Sequence, residues 1–280
     1  MTGTTTSSGK RAAGRQPSVL RVGLRRGVIE IRQFMRERDA VVFSLLFPVG
    51  LMVLFASIFK GEIANTGVDI RQVFVAGMIA SGIMSTSFQS LAISIAIERD
   101  DGTLKRLAGT PMPRASYFIG KVVLVVLTGI LETVLLLGIG TLFFGLDLPT
   151  EAGRWLTFGW VFALSLVACS LLGIAMASVP RSGRAAAAVV TPPFILLQFI
   201  SGVYIPFNEL PAGLQQIASV FPLKWMCQGL RSVFLPDSFV SQEPAGSWEH
   251  GMIALVLLAW CVGGLVLCLK TFRWKGRRDG

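Results

Sequence analysis

The residues that carry most enzymatic chemistry are sparse in this chain. Among 280 residues there is one histidine, His250. A His-based triad would need it beside both a nucleophile and an acid, and the sequence suggests neither. It reads as an interface residue at a helix end. No H-E-x-x-H occurs, so two histidines one helical turn apart are not available to hold a metal. Cys169, Cys261 and Cys268 lie in apolar blocks and Cys227 in a loop, with no C-x-x-C pair. Neither a metal site nor a disulfide framework is indicated. The phosphate-cradling pattern G-x-x-x-x-G-K-[ST] is missing too, since Gly120-Lys121 is followed by Val122. The chain therefore has no visible means of hydrolysing ATP, and by itself it is not read as an enzyme.

Two places hold non-covalent chemistry instead. The first is Glu132, the sole charged residue in the apolar block Val122–Phe144. A charge at that depth costs roughly 2.5–3.5 kcal/mol on insertion scales. It should face the bundle or a cavity. One reading makes it a contact to a cationic substrate, or a relay element. The other gives it a structural hydrogen bond to Gln89, Gln198 or a serine on a neighbouring helix. Gln89, Glu132 and Gln198 together form a candidate substrate cavity. Ser81, Ser85, Ser87 and Ser94 read as helix-packing residues.

The second place is the polar loop Glu98–Lys121. Gly102 can end the preceding helix, and Thr103 can cap a new one through its hydroxyl. Leu104 and Leu107 would share one face, with Lys105 and Arg106 beside it. Pro111 and Pro113 stop the helix before Arg114. The expected product is a short amphipathic helix that presents an apolar pair to a partner.

The elements around these residues are membrane elements. Of the residues, 52% are hydrophobic and 15% charged, and mean hydropathy is +0.65. Six apolar blocks recur: 41–59, 73–97, 122–144, 155–179, 185–204 and 252–269. Chain that faces lipid must satisfy its own backbone, so the blocks should be helices. The fold class expected is an all-α membrane protein with six spans. Pro48 and Pro192-Pro193 should bend the first and fifth. With the N-terminus inside, 21 of the 26 Lys and Arg residues fall in cytoplasmic segments. That asymmetry places both termini in the cytoplasm. The net charge of +10 thus belongs to segments that flank the membrane, and no nucleic-acid partner is read from it.

Residues 1–18 form a polar leader and 276–280 a basic tail, with one transmembrane domain over 19–275 between them. Over 19–38, Leu20, Leu24, Val28, Ile31 and Met35 recur at helical spacing, while Arg21, Arg25, Arg32 and Arg36 fill other faces. This basic amphipathic helix is suited to an anionic inner leaflet. Residues 205–235 are apolar yet punctuated by Pro206, Pro211 and Pro222. They read as a re-entrant outer hairpin of two short helices, or as a loop folded over the bundle.

The run Glu98-x-x-x-Gly102-Thr103-Leu104-x-x-Leu107-x-x-Thr110-Pro111-x-x-Arg114, closing on Gly120-Lys121, resembles the signature loop of ABC-2-type permeases. A second run agrees: Ser201-Gly202-Val203-x-x-Pro206, Leu210-Pro211, Pro222-Leu223 and Gly229-Leu230-Arg231. The chain looks most like the daunorubicin-resistance-type drug-export permeases. The resemblance implies a connecting helix carrying Arg25, Arg32 and Arg36, and a coupling helix at 98–114 seated on a separate ATPase. It also implies a re-entrant hairpin marked by Gly202, Pro206, Pro211, Pro222 and Arg231. The partners implied are two copies of that ATPase, which hold the ATP and Mg, a second permease copy as homodimer or related heterodimer, and membrane lipids. The cargo implied is a hydrophobic drug or lipid-like molecule. No cofactor is expected on this chain. Two alternatives stay open: export of a lipid-linked polysaccharide, and proton-coupled secondary transport through Glu132.

Overall fold

A computed structural model describes residues 18–63 and 66–272. Most of the leader and the basic tail lie outside the described residues. Helix α1 (Val19–Arg36) leads through Glu37 into α2 (Arg38–Ile58). A two-residue antiparallel pair, β1 (Glu62–Ile63) with β2 (Val68–Asp69), then sets up the next helix. Asp69 caps it by accepting the Arg71 amide at 2.9 Å. The Arg71 guanidinium also donates to that carboxylate, holding Asp69 below the usual carboxylate range.

The helix so begun runs from Ile70 to Asp100 as α3 (Ile70–Met84), a π-turn (Ser85–Ser90) and α4 (Leu91–Asp100). A π-turn disturbs the regular backbone ladder. Side chains answer it. The Thr86 hydroxyl donates to the Gly82 carbonyl at 3.1 Å, and Ser87 donates to that of Ile83.

Next come α5 (Thr103–Ala108), α6 (Arg114–Phe144), α7 (Ala152–Met176) and α8 (Ala186–Ile200). Two short helices follow, α9 (Ala212–Val220) and α10 (Pro222–Phe234), and α11 (His250–Thr271) closes the described chain. Gly173 on α7 lies so close to the π-turn that a Cβ there would meet the Ser87 and Phe88 carbonyls at 2.8 Å. Only a glycine lets the two helices touch at that level.

Among the described residues, four helices are long and apolar enough to cross a membrane: Ile70–Asp100, Arg114–Phe144, Ala152–Met176 and His250–Thr271. The first and fifth apolar blocks give shorter apolar helices, Ser44–Ile58 and Ala186–Ile200. Helix α2 as a whole has 21 residues, whereas α8 stops two residues before Gly202, which takes φ +82°. The fifteen residues of α8 reach only about 22 Å, against about 30 Å of hydrocarbon. Pro48, Pro192 and Pro193 lie inside these two helices.

The α6 helix begins at Arg114, well before its apolar block, so Tyr117, Lys121 and Glu132 share one rigid rod. The bundle core lies between α3, α6, α7 and α10. All thirteen residues of α10 are buried. Helix α9 instead lies on the surface, with Ile217 and Val220 exposed.

Candidate functional site

The loop after α4 is built from an Asx-type turn and one left-handed glycine. Gly102 takes φ +78°, which only glycine adopts without strain. The Asp101 carboxylate accepts the Thr103 amide at 2.8 Å. Asp101 and Gly102 therefore start α5, and the expected Thr103 cap does not form. The Thr103 hydroxyl accepts from Arg106 at 3.0 Å. The apolar pair is also placed differently from expectation. Leu104 is fully buried in this chain's own core, with Leu107 and Met112 partly buried beside it. It anchors α5 to the bundle and is not offered outward. The exposed surface of α5 is Lys105, Arg106 and Ala108. Arg114 is exposed at the first position of α6.

Directly behind α5 sits a buried ionic cluster. Lys121 on α6 donates to Glu30 Oε2 of α1 at 2.8 Å, to Glu98 Oε1 of α4 at 2.5 Å and to Ser94 Oγ at 3.0 Å. Tyr117 donates to the other Glu98 oxygen at 2.7 Å. Arg26 reaches Glu30 Oε1 at 2.6 Å. Three elements meet on one ammonium group. In low dielectric such charges hold together only when each has its partner.

What brings α1 this close is glycine. A Cβ at Gly23 would meet Ile119 at 2.6 Å, and one at Gly27 would meet Val123 at 2.7 Å. Gly120 lies equally close to Arg26. With Gly23, Gly27 and Glu30 facing α6, the apolar stripe of Leu20, Leu24, Val28 and Met35 is exposed on the bundle's exterior. Arg25, Arg32 and Arg36 are exposed too.

A cavity of about 510 Å³ opens beside this cluster. Its walls come from α1, α2, α4 and α6, with Lys121 and Glu98 at one end and Thr86 and Thr128 at the other. None of Gln89, Glu132 and Gln198 lines it. Gln89 donates to Thr191 Oγ1 of α8 at 3.0 Å. Gln198 is buried, and neither of its amide atoms has a partner among the described residues. The three do not make one polar wall. Glu132 is also buried, and neither carboxylate oxygen finds a hydrogen bond among the described residues. The expected bond to Gln89, Gln198 or a serine is therefore not made. The carboxyl group lies against Gly82, where a Cβ would stand 2.5 Å from Glu132 Cδ.

At the opposite end of the bundle, Arg231 of α10 forks onto Glu243, with Nε–Oε1 at 2.7 Å and Nη2–Oε2 at 3.2 Å, both side chains buried. Gly202 packs against Arg231, since a Cβ there would lie 3.2 Å from Nη1. Pro206 precedes a short 3-10 turn, Pro211 precedes α9, and Pro222 is the first residue of α10. Lys224 donates to Gln228 at 2.5 Å and lies 3.4 Å from the centre of the Trp225 ring. Burial pushes its ammonium down to about 8, against the opposing pull of Glu249 and Glu243.

The family model described as ABC-2 type transporter matches residues 26–235. That range runs from Arg26 on α1, through α5 and the ionic cluster, to the end of α10. The chain belongs to the ABC-2 type transporter family. Among similar proteins is a probable multidrug ABC transporter permease, YbhR, of Escherichia coli K12, 25% identical over 178 residues. That match takes 62% of this chain and 46% of the relative, so this chain spans under half of that relative's length. The putative transport permease YvfS of Bacillus subtilis is 23% identical over 206 residues, 71% of this chain and 79% of the relative. The probable doxorubicin resistance ABC transporter permease protein DrrC of Mycobacterium tuberculosis is 25% identical over 245 residues, 85% of this chain and 82% of the relative.

In this ABC-2 chain the two motif-bearing runs fold into two separate sites. Glu98, Gly102, Thr103, Leu104 and Leu107 gather at the α5 end. Gly202, Pro206 and Arg231 gather at the other. Sequence reasoning missed Glu30, Arg26 and Tyr117 as cluster members. It also missed Glu243, Lys224 and Gln228. A signal for Glu30 was present, because Gly23, Gly27 and Glu30 fall at i, i+4 and i+7, on one helix face.

Proposed function

We propose that the chain is the membrane subunit of an ATP-binding-cassette exporter, moving a hydrophobic drug or lipid-like molecule out of the cytoplasm or the inner leaflet. The observation that carries this reading is the family match, which covers both motif-bearing sites in one continuous stretch. The printed names of the E. coli and M. tuberculosis relatives support a drug-like cargo. Energy comes from a separate ATPase, two copies of which hold ATP and Mg. A second permease, identical or related, completes the assembly.

In this reading α2 and α8 are two further spans, six in all, in the plasma membrane of a bacterium, with both termini cytoplasmic. The Lys and Arg asymmetry supports that orientation. Helix α1 lies along the inner leaflet, with its exposed leucines toward acyl chains and Arg25, Arg32 and Arg36 toward anionic headgroups. Helix α5 is the coupling helix. Its exposed face meets the ATPase, and Leu104 makes it one body with the bundle, so displacement of α5 is passed to α4 and α6. The pair α9–α10 is the re-entrant outer hairpin. A nucleotide-driven shift of the ATPase moves the permease only if the contact differs between the two states.

Co-expression with the ATPase tests this. Wild-type chain should copurify with it and confer Mg-dependent ATP hydrolysis coupled to drug efflux. The exposed pair Lys105→Glu and Arg106→Glu should abolish copurification and efflux while leaving thermal stability unchanged. Unaltered efflux in that double variant would sink the assignment of α5.

A further inference from the structure

We infer that Lys121 is the positioning residue that makes α1 follow α5, its buried ammonium being the joint between the α4–α5 corner and the helix at the membrane surface. This rests on the reading of the chain as an exporter permease and adds the route by which motion at α5 reaches α1.

The route is short. Helix α5 is joined to α4 by the turn at Asp101 and Gly102, and Leu104 holds it to the core. Glu98 lies on the last turn of α4. Tyr117 donates to one oxygen of Glu98 and Lys121 to the other, so α4 and α6 share this carboxylate. Lys121 also reaches Glu30 on α1 at 2.8 Å. Arg26, one turn earlier on α1, steadies that carboxylate at 2.6 Å. Lys121 and Glu30 are 1% and 3% exposed. An ion pair in water yields easily, but separating this one would leave two charges unpaired in low dielectric. The joint is therefore stiff.

The surroundings show why α1 needs it. Ile119 and Val123 sit against Gly23 and Gly27, an apolar contact that draws the helices together without direction. A neutral hydrogen bond from Ser116 Oγ to the Val19 carbonyl, at 2.9 Å, pins the start of α1. Lys121 pins it three turns later, and fixing register is the best-attested use of buried charge. Past Glu30, the residues Gln33, Phe34 and Glu37 line the 510 Å³ cavity together with residues of α4 and α6. At Glu37 the backbone leaves helical geometry, with ψ 76°, and turns into α2. The end of α1 thus borders open space beside a break in the helix, where it has room to move by itself. With the joint made, a shift of Glu98 carries Lys121 and Glu30 along.

The test replaces the joint by a covalent tether. The double variant Glu30→Gln/Lys121→Met removes the joint and leaves fewer stranded charges than Lys121→Met alone. Val19→Cys and Ser116→Cys allow an oxidant to close a disulfide across the seam. In the full chain alone, in nanodiscs, cross-linking should be fast with Lys121 present and several-fold slower in the double variant. With the ATPase co-expressed, inside-out vesicles report uptake of rhodamine 6G, a hydrophobic dye, together with ATP hydrolysis. The double variant should keep hydrolysis but move less dye per ATP, by a factor on the order of five or more. Closing the disulfide should restore transport there and change nothing in the wild-type background, because α1 and α6 already move as one. Glu30→Gln alone, which leaves Lys121 on Glu98 and Ser94, should show a smaller loss in the same direction, and it carries the test if the double variant does not fold. Equal cross-linking with and without the joint would overturn the inference. So would unchanged dye per ATP in the variants, or a disulfide that blocks wild-type transport. A wild-type complex that neither moves dye nor hydrolyses ATP would remove the exporter reading and this role with it. The cross-linking arm contains no ATPase, so the two failures are told apart.

Discussion

At the scale of single residues, the buried charges divide into the partnered and the unpartnered. Lys121 belongs to the first kind, and removing it leaves Glu30 Oε2 and Glu98 Oε1 without their ammonium partner. Lys121→Met should destabilise the chain by about 3–5 kcal/mol, the usual consequence of breaking a buried pair. The Glu30→Gln/Lys121→Met double variant should recover much of that, which thermal-shift measurements on all four members of the cycle would read. Gly102 makes a milder case. A Cβ there meets open space, so Gly102→Ala bears only the left-handed backbone penalty, about 1–2 kcal/mol. A larger loss of thermal stability would mean the loop has other constraints. Lys224 gives a pH signature. Its depressed value means that the unfolded chain binds the extra proton between about 8 and the ordinary lysine range near 10.5. Stability should therefore rise with pH across that window, and Lys224→Met should flatten the slope while raising the melting temperature at neutral pH.

At the scale of elements, close approach is set by glycine. Gly27→Val should push α1 off α6 and release the Glu30 side of the cluster. Disulfide trapping between cysteines placed at Val19 and Ser116, which meet across the seam at 2.9 Å, would register the separation as lost cross-linking. Gly173→Val should separate α7 from the π-turn, at about 1–3 kcal/mol by the usual cost of overpacking. These contacts explain what was legible beforehand. The long apolar helices follow from composition, and Gly102, Glu98 and Lys121 stand in a recognisable run. Glu30 did not stand out, because an acid in a basic amphipathic helix reads as one more surface charge until its neighbour across the seam is known. Leu104 was misplaced for a related reason: an apolar pair in a loop looks outward when the bundle surface beneath it cannot be read. The π-turn was not legible because its polar run Ser85–Ser90, apolar only at Phe88, also fits hydroxyl residues that pack helices, the reading given to Ser85 and Ser87.

At the scale of the whole molecule, the α5 end and the Arg231 end are linked by few continuous rods. One is Ile70–Asp100, and another is α6, which carries Lys121 near one end and Glu132 deep within. The burial of α10 has a consequence for how the chain is made. It presents Lys224, Gln228 and Arg231 from a short helix, and its packing partners are α3, α7 and α11. The last of these follows it in the chain. During synthesis α10 emerges before its berth is complete, and its polar groups forbid it to wait in lipid. Its docking against α3 and α7 should therefore be completed only when α11 has inserted. A chain truncated before His250 should therefore leave residues 205–249 open to protease in the assembled membrane, whereas in the full chain α10 should be protected. Biogenesis would then have a proofreading step of its own, in which only a molecule that has acquired α11 closes over α10.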